Sequence, residues 1–207
     1  MTQNSINNQS SSLTVDNLLL DGNTIGSTSG SIEFQSDGTN DIIFNDGTND
    51  TLVIADSGES VRQYQPMFNA RNTSVQNNVT GDGTEYTCEY TTEIFDVGTN
   101  FSSPNFTAPV TGKYLFQINI RWNALTSSMT SGIMKLITSN RTIYKFFNPA
   151  DLSTGNGVTS INYDVVTDMD ATDTAYVTGT IDGGTKVAGY SGIGSASATS
   201  FTGGLIS

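Results

Sequence analysis

The sequence predicts an all-β protein: about eight to ten antiparallel strands forming a sandwich or jelly roll, preceded by a shorter run of turn-rich β repeats. Three observations carry this. The 207 residues are rich in Gly, Thr, Ser and Asn, with 14% charged residues and four prolines, a composition that disfavours both long helices and a disordered acidic tail. Apolar and polar residues alternate with period two through most of the chain, and no helical period intrudes. Gly, Asn, Asp and Pro fall between the alternating runs, where turns need them.

A chain of this length holds one good core of roughly 100–150 residues plus something smaller. Residues 1–12, MTQNSINNQSSS, are polar and of low complexity, and read as a flexible arm or an anchoring peptide. Residues 13–62 alternate short apolar segments (18–20, 32–34, 42–44 and 52–54) with Asp-Gly-Asn, Ser-Asp-Gly, Asn-Asp-Gly and Asp-Ser-Gly turns. Strands this short bury too little alone and gain stability by stacking, along one chain or between chains, so the segment reads as an acidic β-stalk. Within it DGTND occurs twice, at residues 37–41 and 46–50. Calcium-binding β-rolls also repeat every nine residues, but on a Gly-Gly-x-Gly-x-Asp unit whose glycine core is missing here, and turns between stacked strands fit better.

Residues 63–207 form the predicted knob. In EYTCEYTTEIF (85–95), Tyr86, Cys88, Tyr90, Thr92 and Ile94 share one face, with Glu85, Glu89 and Glu93 on the other. In KYLFQINIRW (113–122), Tyr114, Phe116, Ile118, Ile120 and Trp122 alternate with mostly polar partners. Further strands fit IMKLIT (133–138), RTIYKFF (141–147), SINYDVV (160–166), TAYVTGTI (174–181) and SFTGGLI (200–206).

Charge narrows the function classes. The net charge is −12, and the first 61 residues hold nine acidic and no basic side chains. Such a surface repels phosphate backbones and anionic lipid, so no nucleic-acid partner is expected; a basic protein partner or divalent cations suit it better. No apolar run approaches the roughly 20 residues of a membrane span, so no membrane insertion is expected. The N-terminal residues do not read as a signal peptide, and Cys88, the single cysteine, allows no intrachain disulfide. A chain made in a cytoplasm yet composed like an extracellular adhesive surface fits a protein assembled in a cell and released on a virus particle.

The sequence contains no histidine, which removes the usual general base at neutral pH, the common nucleophile triads and most zinc sites. Cys88 lies on an apolar strand face and reads as a buried, inert thiol. The best acidic cluster is TDMDATD, with Asp168, Asp170 and Asp173; it reads as a solvated turn, with structural calcium as the alternative and glycoside hydrolysis disfavoured. No other cofactor is expected, and the chain reads as non-enzymatic. Trp122, Tyr144, Phe146, Phe147 and Tyr190 are candidate aromatic platforms for sugar or protein ligands, with core or interface packing as the plainer assignment.

Four segments carry a family resemblance: PMFNA (66–70), FDVGTNF (95–101), FTAPVTGKYLF (106–116) and SFTGGLIS (200–207). Together they resemble the globular domain of the C1q and tumour necrosis factor superfamily. The third is the most specific, through the joint spacing of Phe106, Pro109, Gly112, Tyr114 and Phe116. The resemblance implies a ten-stranded jelly roll assembling as a homotrimer, with Phe106, Pro109, Gly112, Tyr114, Phe116, Phe201 and Leu205 in core or trimer contacts. It also places Asp173 near that family's Gly-Asp-x-Val segment, with Thr172 where the family has Gly. There is no collagen-like stalk; instead LTVDNLLLDGNTIGSTSG (13–30) looks like a segment of bacteriophage tail-fibre and other virion proteins.

The expected function is therefore a homotrimeric virion protein of a bacteriophage, a head decoration or head fibre protein. Its arm would hold a capsid or tail protein, and its knob would face a host-surface glycan or protein. A tail fibre receptor-binding protein and a soluble ligand-binding protein of the C1q and tumour necrosis factor type are the alternatives.

Overall fold

The computed structural model describes residues 41–45, 50–55, 57–153, 156–194 and 196–207. The expected arm, the stalk up to residue 40 and positions 46–49 of the second DGTND copy lie outside the described residues. In chain order the elements are β1 (Ile42–Asn45), β2 (Asp50–Ile54), β3 (Ser60–Val61), β4 (Met67–Arg71), β5 (Val75–Thr80), β6 (Glu85–Thr87), β7 (Thr92–Val97) and β8 (Phe101–Ser102). There follow β9 (Asn105–Thr107), β10 (Gly112–Asn123), β11 (Ser131–Thr138), β12 (Thr142–Phe147), α1 (Pro149–Leu152), β13 (Thr159–Met169), β14 (Thr174–Asp182), β15 (Ala188–Ser191) and β16 (Ser200–Leu205).

β1, β2 and β3 form a small antiparallel sheet in which Ile42 pairs with Ile54 and Phe44 with Leu52. That is a hairpin, not the parallel coil of a β-roll. The remaining strands make two antiparallel sheets. The first runs β5-β15-β10-β16-β4-β7, with β13 on the other side of β10; the second runs β12-β11-β14-β9-β8, with β6 also on β14. Period-two alternation turns one face of each toward a shared core, as in a jelly roll. Along β10, Tyr114, Phe116, Ile118, Ile120 and Trp122 are all buried, and the residues between them are not.

Aromatic rings fill that core, and glycines make room for them. Phe116 and Phe68 flank Gly203 from the two neighbouring strands. A methyl group at Gly203 would lie 2.5 Å from Phe116 and 2.7 Å from Phe68, so glycine at this position is what the packing requires. Across the sandwich, Trp122 packs its indole over Gly179 in the same way, 2.4 Å from a notional methyl. Tyr114 keeps its polar end satisfied by donating to Val110 O at 2.7 Å.

Two expectations need correction. EYTCEYTTEIF is not one strand: β6 pairs with β14 in the second sheet and β7 with β4 in the first, so the chain crosses between sheets at Cys88–Thr91. Ile94, expected inward, is 48% exposed. Asn69 pairs with Phe95 and Ala70 with Glu93, which leaves Ile94 as the extra residue of a β-bulge and turns it outward. One helical turn also occurs, where Asn148 accepts a hydrogen bond from Ala150 N at 3.1 Å and Pro149 occupies the first turn.

Candidate functional site

The large exposed feature is the outward face of the first sheet. Cross-strand register places Val97 beside Met67, Met67 beside Gly204, Gly204 beside Leu115 and Leu115 beside Val166. These residues form one apolar row across five strands, roughly 20 Å wide at ordinary strand spacing. Met67 is 45% and Val166 59% exposed, values at which an aliphatic side chain on a sheet face gains by meeting a partner. Gly204 leaves the row flat at its centre.

Beside the row the surface stays apolar toward the junction with the small sheet. A cavity of about 290 Å³ is lined by Met67, Leu115, Leu205 and Ile206, and one of about 510 Å³ by Tyr64, Pro66, Val97, Pro109 and Val110. Gln65 and Leu205 line both, and the Gln65 amide donates to Leu205 O, so the two cavities adjoin. In the opposite direction along the same face the rows turn mostly polar: exposed Phe95, then Asn69, Thr202, Gln117 and Asp164, and beyond them Ser200, Asn119 and Asn162. The Oδ1 atoms of Asn69 and Asn119 are buried without a hydrogen-bond partner within the chain. The face is thus graded, apolar at the end near both the C-terminus and the small sheet, and mostly polar beyond.

The residues expected to matter fall into three groups. Phe106, Tyr114, Phe116 and Phe201 are fully buried and serve the core. Gly112 lets the C-terminal strand approach, a methyl there lying 2.5 Å from Leu205, while Leu205 and Pro109 line the junction cavities. Among the aromatic platforms, Trp122 and Tyr190 are fully buried, so neither presents a surface, and Phe147 packs on the core against Gly132. Only Tyr144 and its neighbour Phe146 remain exposed.

The three aspartates do not converge. Asp168 pairs with Arg141 at 2.8 Å, and Asp173 accepts from Asp170 N at 2.9 Å and from the Asn140 side chain at 2.6 Å. Among the described residues no group of three or more carboxylate, thiol or imidazole side chains is close enough to hold a metal ion. Cys88 is no activated nucleophile: burial pushes its thiol up. Burial likewise raises the neighbouring phenols, Tyr86 to about 12, and Tyr90, Tyr163 and Tyr190 in the same direction.

The row from Val97 to Val166 escaped the sequence reading, because no member is aromatic or charged and the five come from five strands. Its signal lies in register, which sequence alone leaves open.

No family model matches the chain, and no curated protein matches it. It is similar to solved structures. The globular domain of zebrafish complement 1qA protein is 17% identical, with a TM-score of 0.45, covering 69% of this chain and 98% of that one. Crystal structures of murine APRIL at pH 8.0 and pH 5.0 are 11% and 12% identical, with TM-scores of 0.46 and 0.45, covering 69% of this chain and 99% of theirs.

Proposed function

We propose that this chain is a non-enzymatic, self-assembling structural protein of a bacteriophage particle, a homotrimeric head decoration or head fibre protein that displays its jelly roll outward. The apolar row Val97, Met67, Gly204, Leu115 and Val166 carries the self-assembly. Covering the exposed halves of Met67 and Val166 gains about 1 kcal/mol each, repeated at every copy of the interface. A sheet face that meets a different part of its neighbour makes a heterologous contact, and such contacts close into a ring where the rotation between copies closes. The trimeric state is taken from the resemblance of residues 66–70, 95–101, 106–116 and 200–207 to C1q-like domains.

The virion assignment rests on sequence: the segment at 13–30 that looks like phage fibre, and the nine acidic residues without a basic one before Arg62. A non-enzymatic role agrees with a chain lacking histidine and with a buried thiol. Peptide mass spectrometry of purified particles, with cryo-microscopy to assign density at head or tail, tests the assignment. Detection at the capsid supports it, density on the tail favours the receptor-binding fibre, and a chain never found in particles overturns it.

A further inference from the structure

The outward face of the second sheet carries another surface, separate from the apolar row. Register sets it in two lines: Phe146, Ile133, Thr180 and Glu85, and beside them Tyr144, Lys135, Thr178 and Thr87. On the edge strand β12 the Tyr144 and Phe146 rings stand 5.8 Å apart, 6° from parallel, 52% and 68% exposed. Lys135 Nζ lies 6.0 Å from the centre of the Tyr144 ring and pairs with the Glu85 carboxylate. Thr178 Oγ1 is buried with no hydrogen-bond partner. The surface therefore passes from bare aromatic rings to a donor and an acceptor held side by side, with Thr178 covered beneath and Thr180 and Thr87 at its margin.

Two features select the ligand. Lys145 lies between the two aromatics but on the opposite side of β12, in line with core-facing Met134. An inward-pointing lysine on an edge strand discourages backbone pairing with another chain, so a ligand meets the face and not the edge. Charge supplies the second feature. Lys135 and Glu85 offset one another, so the patch itself carries no net charge. A neutral ring with one C–H face and a rim of hydroxyls matches such a surface. Its face lies on the aromatics, its oxygens accept from Lys135, and its hydroxyls donate to Glu85.

We propose that Tyr144, Phe146, Lys135 and Glu85 form a binding site for a neutral saccharide. This names a ligand class for the displayed surface and takes its biological meaning from the reading of the chain as a particle surface protein. Single sites of this kind bind weakly, and repetition on an oligomer makes them effective.

The test is saturation-transfer NMR on the full chain with two soluble probes, the β-1,4-linked trisaccharides of N-acetylglucosamine and of glucose. At least one receives saturation from the wild-type protein. Phe146→Ala and Tyr144→Ala each weaken binding by about tenfold or more, whereas Phe95→Ala, an exposed aromatic on the other sheet, leaves it unchanged. Transfer to neither probe, or equal binding by Phe146→Ala, overturns the proposal. Light scattering on the same variants separates the two readings: if Tyr144→Ala or Phe146→Ala lowers the assembled mass, the pair is a contact between copies and the saccharide site is wrong, while self-assembly stands. Sugar binding by a wild-type monomer supports the site and overturns the assembly.

Discussion

Replacing Gly203 with alanine adds one methyl group between two rings of the aromatic core. That methyl would lie 2.5 Å from Phe116 Cδ1 and 2.7 Å from Phe68 Cε1, where carbons in contact need about 3.5–4.0 Å. Neither ring has room to retreat. Phe68 is stacked on Phe101 at 4.7 Å and on Phe106 at 4.9 Å and meets Phe201 edge-on at 4.9 Å, while Phe116 stacks on Phe201 at 5.5 Å. Overpacking costs about 1–3 kcal/mol, and obstruction from two sides places this substitution near the upper value. At roughly 2–4 °C per kcal/mol for a chain of this size, the thermal midpoint falls by about 6–12 °C. Circular dichroism melts read the shift. Adding Phe116→Leu to Gly203→Ala relieves one obstruction, so the double variant loses less than the sum of the singles. A Gly203→Ala midpoint within about 2 °C of wild type, or strict additivity in the double, would refute the packing argument.

Other consequences are equally accessible. The raised phenols of Tyr86, Tyr90, Tyr163 and Tyr190 stay protonated in the folded state above pH 10.0, where the unfolded chain releases those protons. Stability is therefore full below pH 10 and falls as pH rises past it, seen as steep alkaline unfolding accompanied by phenolate absorbance; phenolate absorbance from all eight tyrosines without unfolding would contradict it. Cys88 is buried, so an aromatic disulfide reagent finds no thiol in the native protein and one per chain in denaturant. Because Asp168 faces Arg141 and Asp173 caps its own turn, calcium or a chelator leaves the melting midpoint of the full chain in place, and a large calcium-dependent rise would restore those carboxylates as ligands. Arg141→Ala, which breaks an exposed pair, changes stability by about 0.5 kcal/mol or less.

What was legible in the sequence was whatever depends on period and turn chemistry. β10 shows the point, since five buried residues alternate there with partners that face outward. Gly203 in β16 was visible as part of SFTGGLIS, but its reason was not: only the register against Phe116 and Phe68 explains it. Sheet assignment was beyond the sequence as well. EYTCEYTTEIF alternates without a break, yet the chain changes sheets inside it, because alternation reports which side is buried and not which neighbour pairs. Among the site residues, aromatic content pointed to Trp122 and Tyr190 as readily as to Tyr144 and Phe146. The face decides between them: Trp122 and Tyr190 point into the core, whereas Tyr144 and Phe146 point outward from β12, the strand whose Phe147 packs inward. β5 and β15 carried too few apolar residues to be noticed, and they form through pairing with one another and with β10.

Self-association through the row on the first sheet is the claim on which the rest depends, and light-scattering mass of the full chain tests it most directly, alongside the Val166→Asp variant. Val166 is exposed, so the substitution spares the fold, but it adds a carboxylate to a face already carrying Asp164 and Asp168 and buries it at any contact between copies. The account predicts 66 kDa for the wild type, three copies of 22.0 kDa, and 22.0 kDa for the variant at the same concentration. A wild-type monomer, or a Val166→Asp chain that remains trimeric, would contradict it.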